Sequence, residues 1–598
     1  MKPGVAFGDH IKTEKIPKRG GRSYDGFRFR AYIFPLLIFI TGIILLLRLV
    51  TLQMFKGSYY RSLSDSNRIR TSIIHAPRGV IFDRNNKPLV YNVPGYRQTV
   101  GKKTTLLTQE KALAGIAKGE KNIEIDSLRQ YPLKEAAAHI LGYVGQVSPE
   151  QLRTSLYRDY RFTDIVGKSG IEEQYERLLK GVDGKQLFEV DVSGKEMRKL
   201  GQTDPLAGQD VTLTVDSVLQ QAAYTALADI KKGVVIASTP DGQILAMVSK
   251  PTFDPNLFTM GTTYKASSSS YQNLEAILLD GQNQPLLNRA IGGVYPPGST
   301  FKIVTAASGL ENRVFDKNFT VNDTGILHIG EYSFSNWYYT QYGRTEGEVD
   351  IVKAISRSND TFFYKAAEMI NVDRLSHTAG DFGIGRVLGI DLSGEEKGVL
   401  PTKTWKKENV GEGWYLGDTF IYGIGQGFLL TTPLQVNVFT QAVANGGTLY
   451  KPHFLKQLRP EIEKKNLLHA QNTALIHEGM IKSCSTGGVA WPFFDFKVKN
   501  AALRVDGKNI LASPQATHSA SSGQASDLKD FRKVTVACKT GTAQHGDEHT
   551  LPHAWITLFA PAYNPQIVVT VLAESSGEGS NIAAPVARKV LEAYFTQH

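Results

Sequence analysis

At 598 residues the chain exceeds one ordinary domain, so two or three are expected. Apolar residues make up 41% and charged residues 21%, which excludes a fully disordered or fibrous protein. Lys and Arg outnumber Asp and Glu by 68 to 57, and the net charge of +11 suits an anionic partner such as nucleic acid, a membrane surface or an acidic polymer. The two cysteines, Cys484 and Cys538, exclude a disulfide scaffold and any cysteine-based zinc finger.

No charge interrupts residues 31–47, and an apolar stretch resumes after Arg48. Residues 31–52 therefore form a candidate span, since about 20 residues at roughly 1.5 Å each cross about 30 Å of hydrocarbon. The basic residues Lys2, Lys12, Lys15, Lys18, Arg19, Arg22, Arg28 and Arg30 precede it, against Asp9, Glu14 and Asp25. The positive-inside rule makes residues 1–30 a cytoplasmic tail and puts the rest outside the cell membrane, which removes nucleic acid as a partner. No small-x-small cleavage site follows, so a retained single-pass anchor is expected rather than a cleaved signal peptide.

Residues 53–210 mix strand-like runs such as RGVIFD and KPLVYNV with a helical stretch, GIEEQYERLL, and read as an elongated α+β module. The texture changes near residue 210. There VTLTV passes into a helix with Asp216 as N-cap, and GVVIASTPDGQILAMVS reads as a hairpin around Pro240-Asp241-Gly242. Residues 211–598 form the second module. Within it, VDIVKAISR reads as helical, and residues 513–528, rich in Ser, Ala and Gln, read as a flexible insertion. The chain closes with a strand, QIVVTVLAE, and an amphipathic helix, PVARKVLEAYF.

The chemistry lies in three places. In YPPGSTFKIVTAASGL, Ser299 and Lys302 are three residues apart at a predicted helix amino terminus, so the amine is expected within reach of the hydroxyl. A serine needs a base to become a nucleophile, and a lysine buried near another cation can be that base. Alone, Ser-x-x-Lys is weak, because about two or three copies arise by chance in such a chain, most of them solvated helix starts. Ser358-Asn359-Asp360 then places a hydroxyl and a carboxylate between two helical runs. Lys539-Thr540-Gly541-Thr542 sits on a β-branched strand, where alternation puts Lys539 and Gly541 on one face and Gly541 leaves room for a ligand backbone. A helix cap and an exposed strand end are the bland readings of these two. The ordered set behind a membrane anchor is specific, and it is the motif set of penicillin-binding proteins and serine β-lactamases.

From about residue 60 onward the sequence resembles the class B penicillin-binding proteins, monofunctional peptidoglycan transpeptidases. The resemblance rests on the three motifs with Pro77-Arg78-Gly79, Asp83-Arg84-Asn85, Gly167 to Glu172, Phe253-Asp254-Pro255-Asn256, Ile424-Gly425-Gln426-Gly427 and Thr432-Pro433-Leu434-Gln435. Ser-x-Asp-Thr-Phe-Phe-Tyr, Trp414-Tyr415 before Gly417-Asp418, and His553-Ala554-Trp555 are most similar to the elongation-type branch. The division-type enzyme usually has Asn where Asp360 stands. No glycosyltransferase domain fits before residue 210, which argues against a bifunctional enzyme.

The resemblance implies an α+β chain: one transmembrane helix, a dimerisation-like pedestal, and a transpeptidase domain with a mainly antiparallel sheet flanked by helices. It implies that Ser299 attacks the penultimate D-Ala carbonyl of a pentapeptide stem with Lys302 as base, and that Ser358 and its lysine neighbours protonate the leaving D-Ala. An amine of a neighbouring stem then completes the cross-link. The N–H groups of Ser299 and Thr542 would form the oxyanion hole, and Lys539, Thr540 and Thr542 would hold the terminal carboxylate. Asp360 would orient Ser358 or a bound amide, and β-lactams would trap Ser299. A membrane glycan polymerase of the shape, elongation, division and sporulation family is the implied partner.

Two other readings stay open: a carboxypeptidase or β-lactamase that passes the acyl group to water, and a non-enzymatic β-lactam sensor or wall-synthesis scaffold. No cofactor is expected. Some elongation-type relatives bind zinc between the first two motifs, but residues 303–357 hold no Cys and only His328, so no metal site is expected here. Cys538 stands where relatives have Gly or Ala. Small-residue packing is the favoured reading, with a bond to Cys484 as the alternative. His545 and His549 read as solvated loop residues.

Overall fold

The computed structural model describes residues 25–120, 122–191, 196–261, 264–266, 270–500, 504–506, 509–511, 531–547 and 549–597. The insertion at 513–528 and residues 1–24 of the tail lie outside the described residues. The chain divides into two compact units, residues 1–73 with 185–203, and residues 74–184 with 204–598.

In the first unit the helix Asp25–Val50 runs on through a π-helical turn, Thr51–Phe55. Tyr32–Phe55, 24 residues, is long enough to cross a bilayer, contains a stretch of mean hydropathy 2.7, and reaches three residues past the expected span. Its large apolar side chains are exposed, as a lipid-facing helix requires. The strands Ile69–Ile74, Gly184–Val190 and Glu196–Thr203 form a sheet with Gly184–Val190 in the middle, and Glu189 pairs with Arg68 and Arg198.

The second unit begins with a five-stranded sheet around the long strand Pro88–Val100, which Val211–Thr212 joins through a parallel pairing with Ile81–Phe82. The motifs Pro77-Arg78-Gly79 and Gly167 to Glu172 meet beneath it. Glu172, fully buried, accepts from Arg129 Nε at 2.7 Å and Arg78 Nη2 at 2.9 Å. Arg78 also reaches Glu176 at 2.8 Å. Burial pushes the Glu172 carboxyl up, but the two guanidinium groups overcome this and hold it below the usual range. Asn256 of the Phe-Asp-Pro-Asn motif brackets the backbone of Tyr131, donating to its carbonyl and accepting from its N–H at 2.9 Å each. The resemblance motifs of this half are therefore contacts between segments far apart in sequence.

The chemistry-bearing part is built on a second five-stranded sheet: β1 (Gly233–Ser238), β2 (Ile244–Lys250), β3 (Ala537–Ala543), β4 (His553–Ala560) and β5 (Ile567–Ala573). The spatial order is β2-β1-β5-β4-β3, every pairing is antiparallel, and β3 is an edge. Period-two alternation sorts the strands' side chains into two cores. Val235, Val248, Ile556, Leu558, Val569 and Val571 face one layer with α1 (Ser217–Ala226), and Val234, Ile236, Trp555, Phe559, Val568 and Leu572 face the other. On that second face lie α2 (Lys302–Glu311), α3 (Ile351–Arg357), α4 (Asp360–Ile370) and α5 (Pro433–Ala444); α6 (Ala470–Ser483) packs against α3 and β3, and α7 (Ala583–Gln597) covers the first face. The expected hairpin, the closing strand and the closing helix all form. Asp216 caps α1, accepting from the N–H groups of Val218 and Leu219 at 3.0 Å.

One expected helix begins late. Val349 and Asp350, the first two residues of the predicted run, end a strand, Gly347–Asp350, paired with Thr320–Asp323, because Val349 fills that ladder opposite Val321 and Asp350 becomes the N-cap of α3. Glu172→Gln, which leaves two buried guanidinium groups short of a counter-charge, should destabilise the protein by about 3–5 kcal/mol. Denaturant melts of the detergent-solubilised chain would measure it, and a loss below about 1 kcal/mol would refute the buried pairing.

Candidate active site

The first motif opens on a short 3₁₀ turn, Gly298–Phe301, that feeds directly into α2, so Ser299 sits at a helix amino terminus as expected. Gly298 has φ +53° and donates its N–H to the Gly425 carbonyl at 2.8 Å. A side chain at Gly425 would lie 2.1 Å from the Gly298 oxygen, and one at Gly298 would lie 3.0 Å from that of Thr542. The Ser299 turn is thus wedged between the Ile424-Gly425-Gln426-Gly427 loop and the end of β3. Trp555 locks it from below, donating its indole N–H to the Pro296 carbonyl at 3.1 Å.

Ser358 occupies the left-handed conformation (φ +56°) at the end of α3, and Asn359 caps α4 by accepting from Phe362 N–H. The second motif is therefore a two-residue corner between helices. Holding a serine there costs roughly 1–3 kcal/mol, and such strain persists only where the surroundings enforce it.

Around this corner two lysines converge, both fully buried. Lys539 from β3 donates to Ser358 Oγ at 2.8 Å and to the Thr540 carbonyl at 2.9 Å. Lys302 donates to the Ser358 carbonyl at 2.8 Å and to Asp360 Oδ1 at 2.6 Å, and lies 3.4 Å from Ser358 Oγ. The expected hydrogen bond between Lys302 and Ser299 does not form, because the carboxylate of Asp360 draws the ammonium toward α4. Asp360 is accordingly the ion-pair partner of Lys302. Burial pushes Lys302 below the ordinary lysine range, and Asp360 pulls it part of the way back. Lys539 is pushed down further, first by burial and then by the charge of Lys302.

Ser299, Ser358, Asp360, Thr540, Gly541 and Thr542 line one cleft of about 630 Å³, together with Trp337, Tyr364, Gln426 and Glu578. Thr542 is exposed there, and its hydroxyl accepts from Gly579 N–H at 3.4 Å. Lys539 and Gly541 share a strand face as expected, but the space beside Gly541 belongs to the protein. A Cβ there would meet Thr300 and Trp555 at 3.0 Å and the Pro297 carbonyl at 3.1 Å. Gly541 lets the Ser299 turn close onto the strand, not a ligand backbone.

Two family signatures cover most of the chain: residues 232–592 match the penicillin binding protein transpeptidase domain, and residues 118–213 match the penicillin-binding protein dimerisation domain. The chain belongs to the penicillin-binding protein transpeptidase family. The peptidoglycan D,D-transpeptidase MrdA of Haemophilus influenzae is 32% identical, with 94% of this chain and 90% of that protein covered. The Escherichia coli K12 protein of that name is 30% identical, with 93% and 92% covered. Among solved structures, Pseudomonas aeruginosa PBP2 in complex with WCK 5153 is 32% identical with a TM-score of 0.66, covering 88% of this chain and 96% of that one. PBP2 of Helicobacter pylori in complex with MreC is 26% identical with a TM-score of 0.70, covering 88% and 99%. A chain from a peptidoglycan synthase complex is 29% identical with a TM-score of 0.67, covering 96% and 98%.

Set against the family pattern, several residues behave differently from their sequence reading. Cys538 points away from Lys539, as alternation requires, but is bonded to Cys484 at the end of α6 instead of packing as a free thiol. His545 is not merely solvated: it stacks on His553 with ring centroids 3.7 Å apart, and its Nε2 lies 3.0 Å from Ser575 Oγ. Burial, then His545, pushes His553 down to about 4. His549 is exposed. Between the first two motifs, the carboxylate of Asp323 faces N–H and O–H donors on both oxygens. Asp323, Asn336, Gly298 and Gly425 escaped the sequence reading as site residues. Gly425 had a signal through its loop motif, and Gly298 through the Pro-Pro-Gly break before Ser299.

Two outcomes follow. Alkylation of the denatured, unreduced protein should add nothing, and alkylation after reduction should add two groups, as counted by mass spectrometry. Gly425→Ala should displace the Ser299 turn and slow acylation by a fluorescent penicillin by about 100-fold, the cost of a misplacement near 1 Å; an unchanged rate would mean that the turn does not depend on this contact.

Proposed function

We propose that this protein is a peptidoglycan D,D-transpeptidase of cell-wall elongation, working through an acyl-enzyme on Ser299. The observation that carries this reading is the meeting of two buried lysines, the Asp360 carboxylate and the Ser358 hydroxyl in the cleft that Ser299 lines. At the Ser358 corner the two lysines meet a single carboxylate, Asp360, and this local excess of positive charge favours a ligand ending in a carboxylate, as a D-Ala-D-Ala stem does; Glu578 also lines the cleft.

In the reaction, Ser299 Oγ attacks the penultimate D-Ala carbonyl and its proton passes to Lys302. The N–H groups of Ser299 and Thr542 take the developing oxyanion, aided by the close approach of Gly298 to Thr542. Lys539, Thr540 and Thr542 hold the terminal carboxylate. As the tetrahedral intermediate collapses, the C–N bond breaks and D-Ala leaves with a proton delivered through Ser358, to which Lys539 donates. An amine of a second stem then attacks the ester, loses its proton to the same lysine system and restores the Ser299 hydroxyl. β-Lactams enter the first half of this sequence and stop there.

The same reading divides the chain into a tail (1–30), an anchor (31–52), a pedestal (53–210) and the transpeptidase domain (211–598), with the catalytic part outside the cytoplasmic membrane. Basic residues before the anchor support that orientation. The likeness to a chain of a synthase complex for polymerization and crosslinking supports a membrane glycan polymerase as partner, and the likeness to PBP2 bound to MreC supports a second partner of that kind.

Wild-type protein should label covalently with a fluorescent penicillin and Ser299→Ala should not; a labelled variant would remove Ser299 as nucleophile. Because acylation needs a neutral lysine, its rate should rise with pH through an acid limb. Asp360 raises the affinity of Lys302 for its proton, so Asp360→Asn should move that limb to lower pH. A limb that stays fixed or moves upward would exclude Lys302 as the base.

A further inference from the structure

The corner that carries Ser358 and Asp360 is held by a carboxylate outside all three motifs. Asp323 closes the strand Thr320–Asp323 and is 2% exposed. Its Oδ1 accepts from Gly325 N–H at 3.0 Å and Thr361 Oγ1 at 2.9 Å. Its Oδ2 accepts from Asn336 Nδ2 at 2.8 Å, Asn359 Nδ2 at 3.0 Å and Glu346 N–H at 3.0 Å. Burial pushes Asp323 up, but these donors hold it below the ordinary carboxylate range, so it stays charged.

Three of those donors belong to residues that touch the reactive corner. Asn359 and Thr361 flank Asp360 in sequence. Asn336 accepts the Asp360 N–H at 3.1 Å on its Oδ1 while its amide nitrogen serves Asp323. The next residue, Trp337, donates its backbone N–H to Asp360 Oδ2 at 2.9 Å and its indole N–H to the Arg357 carbonyl at 3.0 Å. Glu346 completes the ring, accepting from Asn359 Nδ2 at 3.0 Å and Arg357 Nε at 2.6 Å. Asp360 therefore has one oxygen aimed at Lys302 because its backbone and its other oxygen are tied to the loop that Asp323 gathers.

We propose that Asp323 is a positioning residue for the reaction, a buried anionic hub that aims Asp360 at Lys302 and holds Ser358 in its strained corner. It does with five hydrogen-bond donors what a metal ion could do with ligands from the same segment, and its oxygens, already facing N–H and O–H groups, are not free for a cation. Charged hydrogen bonds of this kind are stronger and more directional than neutral ones, which suits a clamp on a strained turn. The inference rests on the acyl-enzyme reading above.

The test uses the full chain in detergent and a fluorescent penicillin, with active protein counted by the total label bound at completion. Loss of all labelling in wild type would sink the acyl-enzyme reading itself, so the two failures are distinguishable. Asp323→Asn places an N–H₂ against donors, and should slow acylation per active site at least tenfold. It should also move the acid limb of the rate to lower pH, in the direction of Asp360→Asn, since Lys302 loses its aligned counter-ion. In the Asp360→Asn background the same change should have little further effect on the limb, because both act through one contact. A scaffold residue would lower the count of active sites and leave the rate and limb of the survivors unchanged, which would overturn the proposal. So would full additivity with Asp360→Asn. Should Asp323→Asn not fold, Thr361→Val carries the test: it removes one donor from Oδ1, and should shift the limb the same way by a smaller amount, whereas an unmoved limb would overturn the proposal.

Discussion

The site depends on burying two ammonium groups side by side. Lys302 and Lys539 are both sealed from solvent and both reach the Ser358 hydroxyl, at 3.4 and 2.8 Å. Two like charges buried around one hydroxyl repel more strongly than they would in bulk water. One carboxylate, Asp360, balances one of the two. The remaining charge is left to be offset by lowered proton affinity, by carbonyl oxygens and, in the occupied cleft, by an anionic ligand. The fold around the cleft can be understood as what is needed to keep this group of four side chains from relaxing apart.

It does so by close backbone contact. The Ser299 turn touches the Gly425 loop at a distance that excludes a Cβ at Gly425 and meets β3 so tightly that a Cβ at Gly298 or Gly541 would crowd its neighbours, and the Gly579 loop meets β3 closely too, a Cβ there falling 2.5 Å from the Gly541 carbonyl. Glycine here is a packing residue: it brings main chains near enough for rigid elements to set side-chain positions without adjustable linkers. The edge position of β3 follows the same logic, since an unpaired strand edge beside the nucleophile leaves main-chain groups free to bind an extended peptide.

Much of this was legible in the sequence, and the boundary of legibility is physical. Alternation along β3 correctly separated Lys539 from Cys538, and Pro297-Gly298 before an apolar helix correctly put Ser299 at a helix start, because both depend on neighbours within a turn or a strand. The bond between Cys484 and Cys538 and the stacking of His545 on His553 depend on how α6 and two loops fold back on β3 and β4, and no local pattern encodes that. Gly541 was misread for the same reason: the sequence shows that a side chain is missing, not which partner occupies the space. Asp323 lies 24 residues after the first motif's nucleophile and 35 before Ser358, in a segment whose only local signal is a turn. Its role exists only once Asn336, Asn359 and Thr361 have been brought to it.

The same unit uses buried charge in two contrasting ways, and the contrast separates structure from function. Beneath the pedestal sheet, Glu172 and Glu176 face Arg78 and Arg129, residues whose protonation is fixed across the physiological range, and the pairing serves only to join segments. In the cleft the cations are lysines, which burial can bring within reach of neutrality, and one carboxylate serves two of them. An Asn at position 360 would remove the carboxylate in contact with Lys302, easing deprotonation but leaving the Ser358 carbonyl as the close partner toward which it points. Asp360 gives a better aimed lysine at the cost of a more tightly held proton, and that trade works only if the carboxylate itself cannot move. The ring of donors around Asp323 is where that immobility comes from.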